Sequence, residues 1–311
     1  MGSSISSALD AVLLIAFGGP TAPHEIRPFL DNVTRGRRIP RERLEEVAHH
    51  YERMPGGRSP LNDLTRAQAH ALSEALARAG RPLDVYVGMR NWDPYLHDTL
   101  ARLAETGARR CLGVIMSSLR CEASWDRYQA DVEEARVLTL GAPEVVFAPP
   151  WSAHRGFLAA VADRARQALA GVPADVRSWT PLVFTAHSIP LPMADASPYV
   201  SEFATASRAV AQRLRHPRWA LAYQSRSGAP EDCWLEPDVN DVLASVAADG
   251  ERHVVVVPIG FVCDHVEVLY DLDVEAAARA REHGLTLHRA EAVNAHPAFI
   301  EALADIVRKE A

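Results

Sequence analysis

The run His253-Val254-Val255-Val256-Val257-Pro258 is apolar and β-branched, with no polar alternation along it. A half-buried strand would alternate, so a continuous run of this kind reads as a strand buried on both faces of a parallel sheet. Seven further short apolar runs resemble it, at Ala11–Phe17, Leu83–Val87, Cys111–Met116, Val145–Ala148, Pro181–Thr185, Trp219–Tyr223 and Leu285–Leu287. Amphipathic helical patterns lie between them, over Leu61–Ala79, Tyr95–Glu105, Ser124–Val137, Phe157–Leu169, Val200–Arg213 and Val274–Glu282. Strand and helix in alternation predict an α/β fold with parallel sheets covered by helices. The strands divide into two sets of four, one on each side of Pro149-Pro150. The expected architecture is two similar Rossmann-like halves, each a four-stranded parallel sheet flanked by helices. Residues 1–150 form one half and 151–311 the other. A last helix, Pro297–Lys309, could close either.

Composition narrows the function. The 311 residues are 48% hydrophobic and 23% charged, which supports packed cores rather than disorder. A net charge of -7 argues against a nucleic-acid binder. No apolar run approaches the ~20 residues that cross a bilayer. The four cysteines, Cys111, Cys121, Cys233 and Cys263, form no C-x-x-C pair, so inert thiols in a reducing cytoplasm are expected. Met1–Ser6 formally matches a myristoylation pattern, but a plain Ser-rich leader looks the same. Phe17-Gly18-Gly19-Pro20 follows the first strand without completing any nucleotide-binding signature.

Chemistry concentrates at strand ends, where open α/β sheets bind ligands. Phe184-Thr185-Ala186-His187-Ser188-Ile189-Pro190 delivers one histidine to a loop fixed by proline. A lone strand-end histidine more often serves a backbone carbonyl than a ligand. Asp264-His265-Val266-Glu267 opens a stretch in which Glu267, Asp271 and Glu275 are spaced i, i+4, i+8. Such a row shares one side of a helix and repels itself unless a cation or a proton relieves it. A solvated acidic face would look similar, but the flanking residues are apolar. The third segment, Tyr223-Gln224-Ser225-Arg226-Ser227-Gly228, is followed by Trp234 and is dense in polar groups after a strand.

With the opening Leu13–Pro20 and the turn Gly56-Gly57-Arg58-Ser59-Pro60, these segments resemble the ferrochelatases, which insert ferrous iron into a porphyrin. The resemblance covers about Ala11 to Lys309. Asn32–Arg37 and Gly88–Tyr95 look most like the actinobacterial type, the coproporphyrin III ferrochelatases. It implies a chelatase-like fold; no amphipathic anchor with a basic face stands out in the sequence, so a soluble cytoplasmic monomer is the default expectation. Porphyrin and Fe2+ would be the substrates, with no permanently bound cofactor and only transient contact with other haem-pathway enzymes. His187 and Glu267 match the family's iron site, and Asp271 and Glu275 match acids on a metal access route. Phe17, Arg35, His50, Tyr51, Ser59 and Tyr128 fall at porphyrin-contacting positions. Phe17 stands where some relatives carry a tyrosine, so no tyrosinate can reach the iron there. Trp125 stands where many actinobacterial relatives have a cluster cysteine, and no cysteine follows Cys263, so no [2Fe–2S] cluster is expected. From Arg27 to Arg58 eight arginines face five acids, a local +3 that suits the four propionates of coproporphyrin III better than the two of protoporphyrin IX. The alternatives are a protoporphyrin IX ferrochelatase and a non-catalytic tetrapyrrole-binding protein. A cobalt chelatase for sirohydrochlorin is a third reading, which the Asp264–Glu267 pattern fits poorly.

Overall fold

A computed structural model of the chain describes residues 8–36, 39–227 and 232–310. The leader Met1–Ser6, the lip arginines Arg37 and Arg38, and Gly228 of the polar loop lie outside the described residues.

In the first half, β1 (Ala11–Ala16), β2 (Asp84–Met89), β3 (Arg110–Ile115) and β4 (Glu144–Phe147) form a parallel sheet in the order β2-β1-β3-β4. In the second, β5 (Leu182–His187), β6 (Trp219–Gln224), β7 (His253–Val257) and β8 (Thr286–Arg289) repeat it as β6-β5-β7-β8. The two halves therefore share one topology. Burial follows position in the sheet. Central β1 is buried at all six residues, and edge strand β4 at none of its four, which is why the central runs read as unbroken apolar sequence.

The helices are α1 (Ile26–Val33), α2 (Arg41–Glu52), α3 (Leu61–Arg78), α4 (Leu96–Glu105), α5 (Arg127–Leu138) and α6 (Arg155–Ala170). They continue with α7 (Leu191–Asp195), α8 (Tyr199–Leu214), α9 (Val239–Ala248), α10 (Val266–Tyr270), α11 (Ala277–Glu282) and α12 (Pro297–Glu310). The largest core cluster is continuous between the sheets and includes Leu72 and Leu76 of α3, Phe157 and Val161 of α6, and Phe299 and Leu303 of α12. The last helix thus packs on both halves, touching α3 as well as α6. Trp151, Phe157 and Phe299 meet there with ring centroids 5.2–5.8 Å apart. Truncating a fully buried ring such as Phe299 to alanine would cost about 3–5 kcal/mol.

Two stretches depart from the simple helical expectation. The acidic helix begins at Val266 rather than Val274, and Asp271–Ala276 between α10 and α11 is a π-helical turn. A second π turn, Glu122–Asp126, leads into α5. A π turn has no residue-type signature, so the periodicity of the sequence does not reveal it.

Candidate active site

The shared strand order puts a switch point in each sheet, between β1 and β3 and between β5 and β7. The carboxyl ends at these points supply Phe17, Met116 and Ser117 from one sheet and His187, Gly260 and Phe261 from the other. All of them line one cleft of about 1910 Å³. This is the crevice that open α/β sheets use for ligands.

His187 is the last residue of β5. Its Nδ1 is hydrogen-bonded to the Ser188 carbonyl, and the Tyr199 hydroxyl donates to the His187 carbonyl at 2.9 Å. Nδ1 is thereby a donor nitrogen, and in the neutral tautomer Nε2 is the acceptor. Gly260 supports the strand from below. A Cβ there would lie 2.7 Å from the Cα and Cβ of Ala186, so only glycine fits. Glu267 stands in the first turn of α10, where His265 caps the helix. The backbone N–H of Glu267 donates to His265 Nδ1 at 3.3 Å. Burial holds the His265 ring below its ordinary pKa, which keeps this acceptor neutral. Gln224 Nε2 donates to the Glu267 carbonyl at 2.9 Å.

The result is His187 Nε2 facing Glu267 Oε1 at 4.0 Å, with the two side chains 31% and 42% exposed. That gap is too long for a hydrogen bond. It lies within the span of two ligands at about 2.0–2.2 Å from one divalent ion. Among the described residues no group of three or more His, Cys, Asp or Glu side chains is placed to hold a metal. The pair could offer a divalent ion one nitrogen and one oxygen ligand.

Asp271 and Glu275 continue the row. In an α-helix a step of four residues turns about 40° past a full circle. The wider π turn from Asp271 takes that drift back, so Glu275 returns towards the line of Glu267. Burial, with the charges of Glu267 and Glu275 adding to it, pushes the Asp271 carboxyl up to about 8 against a hydrogen bond from Ser225 Oγ. Burial also raises Glu275, with Glu46 adding to it. Glu275 opens onto a side groove of about 510 Å³ that also holds His50, Glu46 and Tyr270. His50 lines this side groove rather than the main cleft, stacked on Tyr270 with centroids 3.7 Å apart and planes at 13°.

The other expected residues do meet in the main cleft, which Phe17, Arg35, Tyr51, Ser59 and Tyr128 all line. Phe29 orders this wall from behind, with edge-on contacts to Phe17 at 6.4 Å, Tyr51 at 5.7 Å and Trp92 at 5.9 Å. Gly19 lets the first loop close on Ser59, since a Cβ would sit 2.7 Å from the Ser59 side chain. Burial pushes the Tyr128 hydroxyl up to about 12. Arg90 covers the Tyr128 ring at 4.3 Å and its Nε donates to Asp131 Oδ2 at 2.5 Å. Sequence reasoning did not single out Arg90. Its signal was position alone, one residue beyond β2. Trp125 is buried, with its indole N–H donating to the Ser117 carbonyl at 3.4 Å. Cys111, Cys121 and Cys263 are buried and Cys233 is exposed. No helix among the described residues is long and apolar enough to cross a membrane.

Paired four-stranded parallel sheets with a cleft lined by a histidine and a glutamate at their carboxyl ends define a chelatase-type fold. A solved structure of SirB from Bacillus subtilis with Fe3+ superposes with a TM-score of 0.59 at 12% identity, covering 97% of this chain and 95% of that one. The ferrochelatase family model matches residues 9–311, and the chain belongs to the ferrochelatase family. A protein of Mycolicibacterium smegmatis named coproporphyrin III ferrochelatase is 43% identical over 304 residues, 96% of this chain and 89% of that one. One of the same name from Streptomyces coelicolor is 42% identical over 326 residues, 98% of this chain and 86% of that one.

Proposed function

We propose that this protein inserts Fe2+ into coproporphyrin III, with His187 and Glu267 at the insertion site. The observation that carries the reading is the 4.0 Å approach of His187 Nε2 to Glu267 Oε1 in a cleft large enough for a macrocycle. Insertion exchanges one Fe2+ for two pyrrole N–H protons. His187 Nε2, in the neutral tautomer, accepts one of them. Glu267 holds the metal and takes the other, and Asp271 and Glu275 relay cations and protons to and from the side groove. Phe17, Tyr51, Ser59 and Tyr128 hold the porphyrin, and contact energy from this wall goes into bending the ring so that its nitrogen lone pairs meet the metal. Residues 1–150 supply this wall and 151–311 the metal residues.

Substrate choice rests on a narrower base than the lip's net charge. Arg27 is paired with Glu45 at 2.7 Å and Glu52 at 3.2 Å, Arg43 with Glu46 at 2.7 Å, and Arg58 with Asp63 at 2.9 Å. These arginines already have carboxylate partners. Arg35 lines the cleft itself and acts on Tyr95, and it is the cation we assign to a propionate. The names of the Mycolicibacterium and Streptomyces relatives support coproporphyrin III. A monomer acting in the cytoplasm without an iron–sulfur cluster completes the proposal. An anaerobic assay of porphyrin fluorescence with Fe2+, run side by side on coproporphyrin III and protoporphyrin IX, tests it. Faster loss with coproporphyrin III is expected. Markedly better turnover of protoporphyrin IX overturns the substrate, and binding without metal-dependent loss would make the protein a carrier.

A further inference from the structure

The helix bearing Glu267, Asp271 and Glu275 is packed on two apolar faces. Val268, Leu272, Ala276 and Ala280 are buried in the cluster on the second sheet. Val266, Leu269, Tyr270 and Val274 pack in the cluster formed with α1 and α2. Apolar contact is non-directional, so it fixes the helix position better than its rotation about its own axis.

Beside the hydrogen bonds from Gln224 to the Glu267 carbonyl and from Ser225 to Asp271, one directional contact has two arms. Arg289, at the end of β8, donates from Nε to Asp273 Oδ1 at 2.5 Å and from Nη1 to Asp264 Oδ1 at 2.7 Å. The side chains of Arg289 and Asp264 are only 14% and 12% exposed, against 40% for Asp273. Asp264 is fixed in turn. Asn294 Nδ2 donates to its Oδ2 at 2.7 Å, the Ala292 N–H donates to its Oδ1 at 3.1 Å, and its own N–H donates to Asn294 Oδ1 at 2.9 Å. Asn294 sits in the left-handed region at φ 45°, and Gln68 Nε2 donates to its carbonyl at 3.0 Å. One guanidinium thus joins a rigid loop before the helix to the π turn in its middle. Asp273 lies midway between Asp271 and Glu275 in sequence, which places it across the helix axis from the acid row.

We propose that Arg289 is a positioning residue for metal delivery. By bridging Asp264 and Asp273 it sets the rotation of the π turn and holds the three carboxylates in register. The proposal rests on the reading above that these carboxylates carry the metal. Side chains stand about 5–6 Å from the helix axis, so a rotation of about 20° would carry a carboxylate about 2 Å. That is the length of a metal–ligand bond. The planar, fixed fork of arginine suits a two-armed bridge, and lysine would hold one arm only.

The test uses Asp273→Asn, which cuts the partly exposed arm alone, beside Arg289→Gln and Arg289→Lys. Fe2+ and coproporphyrin III are varied separately in the insertion assay, with Glu267→Gln as the control. Asp273→Asn should raise the apparent KM for Fe2+ at least threefold and leave that for the porphyrin within twofold. Arg289→Gln should raise it further, and Arg289→Lys should recover part of the loss. A merely structural role would lower the active fraction, and hence kcat, with both KM values unmoved. An unchanged iron KM in Asp273→Asn, with insertion abolished in Glu267→Gln, overturns the bridge and leaves the site reading intact. Normal insertion by Glu267→Gln overturns the site reading and the bridge with it.

Discussion

Replacing Gly260 by alanine tests whether the end of β5 is held where the metal pair needs it. The added Cβ would lie 2.7 Å from Ala186 Cα and Cβ and 3.3 Å from the Thr185 carbonyl oxygen. Carbon atoms rest at about 3.5–4.0 Å, so the loop and the strand must part by roughly 1 Å. The obstructing atoms include backbone, so no side-chain rotation relieves the contact. Overpacking of this kind costs about 1–3 kcal/mol. For a chain of this size that lowers Tm by about 2 °C per kcal/mol, or roughly 2–6 °C. The next residue along the strand is His187, whose distance to Glu267 is set by this packing. A misplacement of about 1 Å can cost on the order of 100-fold in rate, and we expect kcat for iron insertion to fall 10- to 100-fold. Porphyrin affinity, read by fluorescence, should stay within threefold, because Tyr51, Ser59 and Tyr128 belong to the other half. Turnover within twofold of the unmodified protein, with Tm unchanged, would refute the claim that Gly260 sets the position of His187.

Three further outcomes follow from the geometry. Asp271 ionises near its ordinary 3.8 when unfolded but only at about 8 when folded, so its burial costs nothing below pH 4 and increasingly more up to pH 8. Each pH unit in that window is worth at most about 1.4 kcal/mol. The Tm of Asp271→Asn should therefore match the unmodified protein near pH 4 and exceed it progressively towards pH 8; a gap independent of pH contradicts the burial argument. Arg35→Gln should raise the KM for coproporphyrin III about 3- to 10-fold, one charge-assisted hydrogen bond, and that for protoporphyrin IX less. Added salt should act in the same sense, and equal shifts for the two porphyrins would remove Arg35 from propionate recognition. The purified protein should contain no stoichiometric sulfide and show no visible iron–sulfur bands; sulfide in proportion to protein would contradict the reading of its cysteines as inert.

The four central strands were legible because each is buried on both faces and so spells an unbroken apolar run, as in Ala11–Ala16 and His253–Val257. The row Glu267, Asp271 and Glu275 was legible as a spacing, but not the π turn within it, since widening a helix leaves no mark on residue type. Nor could the helix start at Val266 be read, because its capping group is a histidine, His265, rather than the usual Ser, Thr, Asp or Asn. The net lip charge was countable in the sequence, but which of its arginines are already paired, Arg27, Arg43 and Arg58, depends on which side chains meet. His50 shows the same limit. It adjoins Tyr51 in the chain, yet helical geometry turns it onto Tyr270 and the side groove while Tyr51 faces the cleft.

The most direct measurement is the anaerobic rate of Fe2+ insertion into coproporphyrin III by the unmodified protein, His187→Ala and Glu267→Gln, each first shown by circular dichroism to be folded. The 4.0 Å pair predicts metal-dependent fluorescence loss in the unmodified protein and a fall of at least 100-fold in both variants, with porphyrin still bound. Near-normal turnover in either variant would contradict the assignment of the insertion site to His187 and Glu267.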